Sequence, residues 1–298
     1  MPLKIVISGS SGLIGSALLS ALRASGHDVK RLVRGAITAP DQLTWNPAEP
    51  LAPESVSGFD AVVHLAGESI ATRWSDDKKR RIIESRVPPT QRLALALTKA
   101  QPRPRVFVCG SAIGYYGDRG DEILREESPS GEGFTAEVCR QWEAAAQAVS
   151  NAGIRTVQIR TGIVLSADGG ALSKMLPPFR MGVGGNIGNG RQWMSWIHLR
   201  DEIGAIQHLL TADSINGPVN LVSPHPVRNA EFTRTLASVL HRPAIFPMPG
   251  FAARLAFGQM ADELLLASQR VEPAKLLASG YAFQWPDLRP ALQAILHK

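Results

Sequence analysis

The chain alternates short apolar runs rich in β-branched residues with longer segments in which apolar residues recur every three or four positions. The first pattern is typical of buried strands, and the second gives a helix one apolar face. Strands are predicted at residues 5–7, 28–33, 60–65, 105–111 and 157–160. Helices are predicted at residues 13–24, 76–100 and 135–150, the second interrupted at Pro88-Pro89. Residues 118–133 are acidic and contain glycine and proline, so they are predicted to form an irregular loop. This alternation predicts an α/β fold with a Rossmann-type, doubly wound parallel sheet.

The alternation weakens from about residue 170. Residues 162–170 are expected to turn away from the sheet, 201–210 to be helical and 218–222 to form a strand. Asn229 is expected to cap a helix that ends near Leu240, and prolines divide the tail that follows. The sequence therefore predicts a first domain over 1–165, with returning segments near 193–225, and a smaller, mostly helical lobe over 166–298.

Three glycines separate the first strand from the first helix: Gly9, Gly12 and Gly15. Glycines at this point permit a tight turn, close approach of a pyrophosphate and close packing of the helix on the sheet. The helix N-terminus adds unpaired N–H groups that attract phosphate. The alternative is a plain strand–helix turn. The predicted cofactor contacts in this stretch are Gly9, Ser10, Ser11, Gly12, Leu13, Ile14 and Gly15.

The end of the second strand indicates which dinucleotide binds. NAD sites place a carboxylate there for the ribose 2′-hydroxyl, whereas NADP sites place a cation for the 2′-phosphate. Here the strand ends in Val33-Arg34, and no carboxylate follows before Asp41. The predicted cofactor is therefore NADP(H). The substrate is expected to bind in the smaller C-terminal lobe.

The ends of two further strands supply candidate site residues. Small residues at Leu65-Ala66-Gly67 would let the cofactor lie against the backbone, while His64 before them is interpreted as a hydrogen-bonded core residue. Ser111 ends the next strand at the edge where ligands bind in open α/β sheets. The basic run at residues 78–81 is interpreted as a solvated face, and Arg86 beyond it could reach the cofactor.

Composition excludes several classes of protein. The 298 residues are 44% hydrophobic and 19% charged, and no stretch approaches the ~20 apolar residues of a membrane span. Two cysteines cannot form a disulfide framework, which favours a cytoplasmic location. The net charge of +6 is spread along the chain, so neither nucleic-acid nor membrane binding is expected. No metal site is predicted.

Several motifs resemble the extended short-chain dehydrogenase/reductases, and more narrowly their atypical branch of epimerase family proteins with a C-terminal extension. The motifs are the 9–15 glycine stretch, Leu65-Ala66-Gly67-Glu68-Ser69-Ile70, Gly110-Ser111, Gly188-Asn189-Gly190-Arg191-Gln192, Trp196-Ile197-His198, Asn220-Leu221-Val222-Ser223-Pro224, Gly258-Gln259-Met260 and Gln269-Arg270-Val271-Glu272-Pro273. The resemblance implies an NADP-binding fold with cofactor contacts at Val33, Arg34, Leu65, Ala66 and Arg86.

The chain departs from that superfamily at its catalytic pair. The superfamily uses Tyr-x-x-x-Lys for proton exchange with a carbonyl or hydroxyl, and this sequence contains no such pair. Aligned on Glu143, Thr135 stands at the tyrosine position and Cys139 at the lysine position. Met194 stands where sugar-nucleotide epimerases carry an arginine for the diphosphate, which argues against a nucleotide-sugar substrate.

The remaining proton donors are Ser111, Tyr116, His198 and Glu68, each of which could instead be structural. Trp193 and Trp196 could form the floor of an apolar pocket or part of the core. Two functions stay open at this point. The first is an NADP(H)-dependent oxidoreductase or epimerase-like enzyme acting on a small carbonyl or hydroxyl compound. The second is a non-catalytic NADP-binding redox sensor or regulatory protein. The protein is expected to be a monomer or a homodimer.

Overall fold

A computed structural model describes residues 1–297. Its strands are β1 (Lys4–Ser8), β2 (Asp28–Val33), β3 (Gln42–Thr44), β4 (Ala61–His64), β5 (Val106–Ala112), β6 (Ile123–Leu124), β7 (Arg155–Thr161), β8 (Ile163–Leu165), β9 (Trp193–Met194), β10 (Trp196–His198), β11 (Gly217–Leu221), β12 (Val227–Arg228) and β13 (Arg270–Val271). Its helices are α1 (Leu13–Ala24), α2 (Asp76–Glu84), α3 (Val87–Lys99), α4 (Phe134–Ala145), α5 (Gln147–Asn151), α6 (Gly170–Arg180), α7 (Leu199–Thr211), α8 (Asn229–Leu240), α9 (Gly250–Phe257), α10 (Ala274–Ala278) and α11 (Leu288–Leu296). Two 3₁₀ turns, Pro53–Val56 and Ile113–Tyr116, and one π-helical turn, Ala261–Leu266, complete the regular structure of these residues.

The main sheet has seven strands in the order β11-β7-β5-β4-β1-β2-β3, and every neighbouring pair is parallel. The predicted Rossmann-type fold is therefore confirmed. The chain runs outward from β1 to β3 and then returns to place β4 on the other side of β1. This reversal creates a crevice at the carboxyl ends of β1 and β4, which is where such sheets bind ligands.

Helices cover both faces of the sheet. On one face, α1 and α7 pack with Leu18, Leu22, Ile206 and Leu209 against the odd-numbered positions of β1 and β7. On the other face, α3, α4 and α5 pack against Val6, Val62 and Phe107. Strands that are covered on both sides have no polar face, which explains the continuous apolar runs in the sequence.

The C-terminal lobe has its own apolar cluster between α6, α8, α11 and two small sheets, β8-β10 and β9-β12. Residues 163–165 do not simply turn away from the main sheet as expected: they form β8, which pairs in parallel with β10. Helix α6, which contains Pro177 and Pro178, was not predicted because the pattern of apolar residues is weak after residue 170. The predicted division into 1–165 and 166–298 stays a prediction, with β11 returning to the main sheet.

Three local expectations need correction. Helix α3 begins at Val87 with prolines in its first turn, so these prolines start a helix and the interruption lies before them. Arg228, not Asn229, precedes α8, and the Asn229 amide oxygen accepts from the Ile187 N–H at 2.8 Å. Residues 118–133, predicted as an irregular loop, contain β6, which pairs with β13.

Candidate nucleotide and substrate site

The turn between β1 and α1 has room for glycine alone at two of its positions. Gly9 has φ +75°, and a Cβ there would lie 2.6 Å from the Leu65 carbonyl carbon. A Cβ on Gly15 would lie 2.2 Å from the Gly9 oxygen. Gly12 closes the turn by donating its N–H to the Gly9 oxygen at 3.1 Å. The turn is thus built for close backbone approach, as a pyrophosphate site requires.

The N-terminus of α1 is prepared for an anion. Gly12 is the residue before the helix, it has no side chain to cap the first-turn N–H groups, and the first turn carries no carboxylate. Ser11 and Gly12 are exposed to solvent, whereas Ser10 is buried. Unpaired helical N–H groups beside an exposed glycine turn are a ready-made phosphate cradle.

Arg34 lies exposed just after β2. The next carboxylate in the sequence, Asp41, already pairs with other arginines. It accepts a hydrogen bond from Arg31 Nε at 2.6 Å and forms an ion pair with Arg23. These contacts, led by the hydrogen bond from Arg31, hold the pKa of the Asp41 carboxyl far below its usual range. Within residues 1–297 Arg34 has no side-chain hydrogen bond or ion pair, so its guanidinium is available to a 2′-phosphate.

Arg86 contacts the loop that follows β4. Its Nη2 donates to the Glu68 carbonyl at 2.9 Å, and its guanidinium lies 5.0 Å from the Trp142 ring centre. A Cβ on Gly67 would lie 3.0 Å from the Arg86 Cζ. Arg86 therefore fixes the path of Leu65-Ala66-Gly67, and the direct cofactor contact predicted for it stays a prediction.

His64 is a core residue. Thr90 Oγ1 donates to the Arg86 carbonyl at 2.6 Å, so it must accept the hydrogen bond that joins it to His64 Nε2 at 3.0 Å. His64 Nε2 therefore carries the proton, and Nδ1 accepts from the Ser8 hydroxyl at 2.5 Å. Burial lowers the pKa of His64 to about 4, which keeps the ring neutral.

Ser111 and Tyr116 belong to one buried polar network. Ser111 Oγ donates to Glu143 at 2.7 Å, and Arg160 forms two hydrogen bonds with the same carboxylate. The Tyr116 hydroxyl donates to Asn220 at 2.7 Å and accepts from Arg160 at 3.0 Å. The Tyr116 side chain is fully buried, and burial raises its pKa to about 12. This geometry gives no support to Tyr116 as a proton donor, whereas Ser111 lies at the ligand-binding end of β5.

His198 lies in the second lobe, where it caps α7. Its Nδ1 accepts from the Arg200 N–H at 3.0 Å, and its ring lies 5.3 Å from the Trp285 ring. Trp196 is fully buried and Met194 nearly so. Trp193 Nε1 donates to Asp121 at 2.8 Å. These contacts are those of structural residues, so the suggested proton donation by His198 stays a prediction without geometric support.

Thr135 and Cys139, which stand at the tyrosine and lysine positions of the superfamily's catalytic pair, lie on the first two turns of α4. The Cys139 thiol donates to the Ala112 carbonyl at 3.6 Å, and burial raises its pKa to about 11, so it supplies no charge. The Thr135 hydroxyl donates to the Glu263 carboxylate at 2.9 Å. Sequence reasoning missed Glu263: it lies only three residues beyond the recognised Gly258-Gln259-Met260 motif, but no spacing rule connects positions 128 residues apart.

The burial of Lys78 was also not predicted from the sequence. Its place in the basic run predicts a solvated face, but its side chain is buried and Nζ donates to Glu68 at 2.6 Å. That hydrogen bond lowers the pKa of Glu68 and holds it as a carboxylate. Glu68 is therefore paired, although 41% of its side chain remains exposed at the carboxyl edge of the sheet.

A cavity of about 280 Å³ lies beside Thr135. Its lining includes Glu132, Arg254, Glu263 and Leu266, so the C-terminal segment forms much of the wall. A larger cavity of about 650 Å³ lies at the amino-terminal ends of β7 and β11, away from the glycine turn.

Within residues 1–297, no three His, Cys, Asp or Glu side chains converge as metal ligands. No helix in this range is long and apolar enough to cross a membrane.

A glycine cradle at the reversal point of a parallel sheet defines a dinucleotide-binding protein of the Rossmann type. The chain belongs to the NAD dependent epimerase/dehydratase family, whose pattern matches residues 5–221. Residues 248–295 match a second pattern, described as a domain of unknown function (DUF1731). The predicted resemblance to epimerase family proteins with a C-terminal extension is confirmed.

Two relatives and one solved structure illustrate the similarity. The epimerase family protein Mb2239 of Mycobacterium bovis is 43% identical over 290 residues, covering 97% of this chain and 96% of its own. The human epimerase family protein SDR39U1 is 38% identical, covering 99% and 100%. The crystal structure of human SDR39U1 isoform 2 with NADPH superposes with a TM-score of 0.91 at 36% identity and covers 99% of both chains.

Proposed function

We propose that this protein binds NADP(H) and transfers hydride between the nicotinamide and a small carbonyl or hydroxyl compound, as an oxidoreductase or an epimerase-like enzyme. The observation that carries the cofactor choice is Arg34 at the end of β2, which has no side-chain partner among residues 1–297 and follows the strand beside a glycine cradle that fits a pyrophosphate. The NADPH in the structure of the human relative supports the same choice.

The residues present fit the cofactor. Gly9, Gly12 and the N-terminus of α1 would hold the pyrophosphate, and Arg34 the 2′-phosphate. Leu65 and Ala66 would contact the adenosine and ribose, on the loop that Arg86 supports. The bound cofactor supplies hydride chemistry, so the protein needs only to orient a substrate and move one proton.

Ser111 is the residue that we assign to substrate orientation. Its hydroxyl donates to Glu143, so its oxygen can accept a hydrogen bond from a substrate hydroxyl. Glu143 is fixed in turn by Arg160, which makes the serine rotamer rigid. A rigid hydroxyl oxygen at the carboxyl end of a central strand is well placed to orient a substrate alcohol group.

A non-catalytic NADP-binding regulator is the second candidate. The observation that favours it is the replacement of the catalytic pair by Thr135 and a neutral, buried Cys139. The cavity beside Thr135 favours the enzyme, because a regulator needs no substrate space there. We place the protein in the cytoplasm as a monomer or homodimer: both cysteines are free and buried, as in a reducing compartment.

Cofactor titration tests the first half of the proposal. Wild type is expected to bind NADPH at least about tenfold more tightly than NADH, because Arg34 makes charge-assisted hydrogen bonds to the 2′-phosphate. Arg34→Ala should remove this preference and leave NADH affinity unchanged. Arg105→Ala, an exposed arginine near the opposite end of the strands, is the matched control. Equal affinity of wild type for the two cofactors would contradict the assignment.

Turnover tests the second half. NADPH consumption is followed with a panel of carbonyl compounds, and NADP⁺ reduction with the corresponding alcohols. Ser111→Ala is expected to lower turnover about tenfold to a hundredfold without changing NADPH affinity. NADPH binding without turnover of any compound would favour the regulatory alternative.

A further inference from the structure

The C-terminal segment inserts one carboxylate into the start of α4. Glu263 Oε1 accepts from the Phe134 N–H at 3.0 Å and from Gln259 Nε2 at 2.7 Å. Its Oε2 accepts from the Thr135 N–H at 2.7 Å and from the Thr135 hydroxyl at 2.9 Å. Each carboxylate oxygen thus has two donors, and the Thr135 hydroxyl points its proton at Oε2.

The main chain is shaped to admit this carboxylate. Gly133, the residue before α4, has φ +101°, and a Cβ there would lie 3.2 Å from the Glu263 carboxyl carbon. Gly133 also has no side chain that could cap the helix. The first-turn donors of α4 are therefore satisfied from 128 residues away, by the segment that matches the domain of unknown function.

This contact lies at the expected centre of proton transfer. Thr135 occupies the superfamily's tyrosine position, and a Cβ built on Gly114, just beyond Ser111 and β5, would lie 3.0 Å from the Thr135 Cβ. Thr135 and Glu263 also line the 280 Å³ cavity together. A hydroxyl, a carboxylate and substrate space thus meet beside the ligand-binding end of the sheet.

We propose that Thr135 and Glu263 are the catalytic proton-transfer pair of this protein, so that the C-terminal segment completes the active site. The proposal rests on the proposed hydride-transfer function. In the superfamily a lysine assists a phenol; here a carboxylate accepts the proton of a hydroxyl that is already hydrogen-bonded to it. Neither Tyr116 nor Cys139 is then needed for chemistry.

The step balances for alcohol oxidation. The substrate O–H bond breaks as its proton moves to Thr135 Oγ1, while the Thr135 proton moves along the existing hydrogen bond to Glu263 Oε2. The substrate C–H bond breaks with its electron pair, which passes as hydride to NADP⁺. The substrate becomes a carbonyl compound, NADP⁺ becomes NADPH, and Glu263 later releases its proton to water.

The cavity indicates the class of substrate. Four carboxylates line it, those of Asp118, Glu132, Asp262 and Glu263. Arg254 also lines it, and its guanidinium is paired with Asp262 at 2.7 Å. An acidic cavity of about 280 Å³ repels a diphosphate and lies at the small end of ligand sites. The substrate class is a small hydroxylated compound that carries no negative charge.

Two matched substitutions at Thr135 and one at Glu263 test the pair. Turnover of NADP⁺ is measured with glycerol, sorbitol, myo-inositol and cyclohexanol, and of NADPH with dihydroxyacetone, fructose and cyclohexanone. Thr135→Val and Glu263→Gln are expected to lower kcat about a hundredfold or more, with NADPH affinity unchanged. Thr135→Ser, which restores the hydroxyl, should stay within about tenfold of wild type. Glu231→Gln, on the exposed face of α8, is the control.

Each outcome decides the question. Wild-type turnover that survives in both Thr135→Val and Glu263→Gln overturns the pair but leaves the proposed function intact. Equal loss in Thr135→Val and Thr135→Ser overturns the role of the hydroxyl. If Glu263→Gln melts early or loses NADPH binding, the Thr135 variants decide alone. Absence of wild-type turnover with every probe overturns both the proposed function and this proposal.

Discussion

Gly12 and Gly15 lie in the same turn, yet each is a glycine for a different reason. A Cβ on Gly15 would meet the Gly9 oxygen at 2.2 Å, so the fold itself requires glycine there. A Cβ on Gly12 would meet the same oxygen at 3.5 Å, an ordinary contact, and Gly12 is exposed. The fold would accept alanine at position 12, so we expect any requirement for glycine there to come from a bound ligand.

Alanine at each position should therefore separate stability from binding. Gly15→Ala is expected to lower the free energy of unfolding by roughly 3 kcal/mol, because backbone must shift to admit the methyl group. Gly12→Ala should change stability by less than about 1 kcal/mol and weaken NADPH binding about tenfold or more, because its methyl group would occupy the path of the pyrophosphate. Chemical denaturation and NADPH titration of both variants measure the two effects. Equal destabilisation of both variants would contradict the distinction.

Glu202 is a fully buried carboxyl that accepts a hydrogen bond from the Thr161 hydroxyl at 2.8 Å. Burial raises its pKa from 4.5 to about 8. The folded state therefore binds this proton more tightly than the unfolded state. The resulting stabilisation is complete below pH 4.5 and is lost progressively as the pH rises to about 8.

Glu202→Gln should remove this pH dependence, since a neutral amide has no proton to lose. Relative to the variant, wild type is expected to lose about 3 kcal/mol of unfolding free energy between about pH 6 and pH 9. Urea unfolding of both proteins across this range measures the difference. Parallel pH profiles would show that Glu202 is ionised in the folded protein at neutral pH.

Among helices and strands, those with a strong local pattern are predicted best. Helix α1 and strand β2 have the predicted bounds, 13–24 and 28–33, because an apolar stripe and a β-branched run give clear periods. Helix α6 is missed because Pro177 and Pro178 argue locally against a helix. Burial of Leu172, Leu176 and Phe179 in the second lobe outweighs that local preference.

The C-terminal tail is attached to α7 by one buried carboxylate. Asp201 Oδ1 accepts from the Gln284 N–H at 2.7 Å, and Oδ2 accepts from the Trp285 N–H at 2.9 Å. Its backbone oxygen accepts from the Tyr281 hydroxyl at 3.0 Å. The path of the chain into α11 therefore depends on this side chain.

Asp201→Ala is expected to destabilise the protein by about 2 kcal/mol, because the N–H groups of Gln284 and Trp285 lose their carboxylate acceptor. Protease cleavage between α10 and α11 should become faster, as the tail detaches locally. Limited proteolysis followed by mass spectrometry locates the cut. Asp213→Ala, at a carboxylate that is 93% exposed, is the control. An unchanged cleavage pattern in Asp201→Ala would show that apolar packing alone holds the tail.

At the scale of the whole molecule, the C-terminal segment is part of both the core and the candidate site. Leu276 is fully buried in the same apolar cluster as Ile5, Ile7 and Ile159, which lie on strands of the main sheet. Glu263 from this segment also closes the start of α4. The segment is therefore an integral part of the fold, and the nucleotide-binding sheet and its C-terminal extension share one packed interior.

The sequence by itself determined the Rossmann-type fold, the glycine cradle and the cation at Arg34, because these depend on local periods, turn chemistry and the order of neighbouring residues. Only the tertiary structure shows that Glu263 accepts a hydrogen bond from Thr135. It also shows that Tyr116, Lys78 and Glu202 are buried. Such contacts join residues that are far apart in the chain, so no local pattern encodes them. The glycine turn was therefore predictable from the sequence, whereas the contact between Thr135 and Glu263 was not.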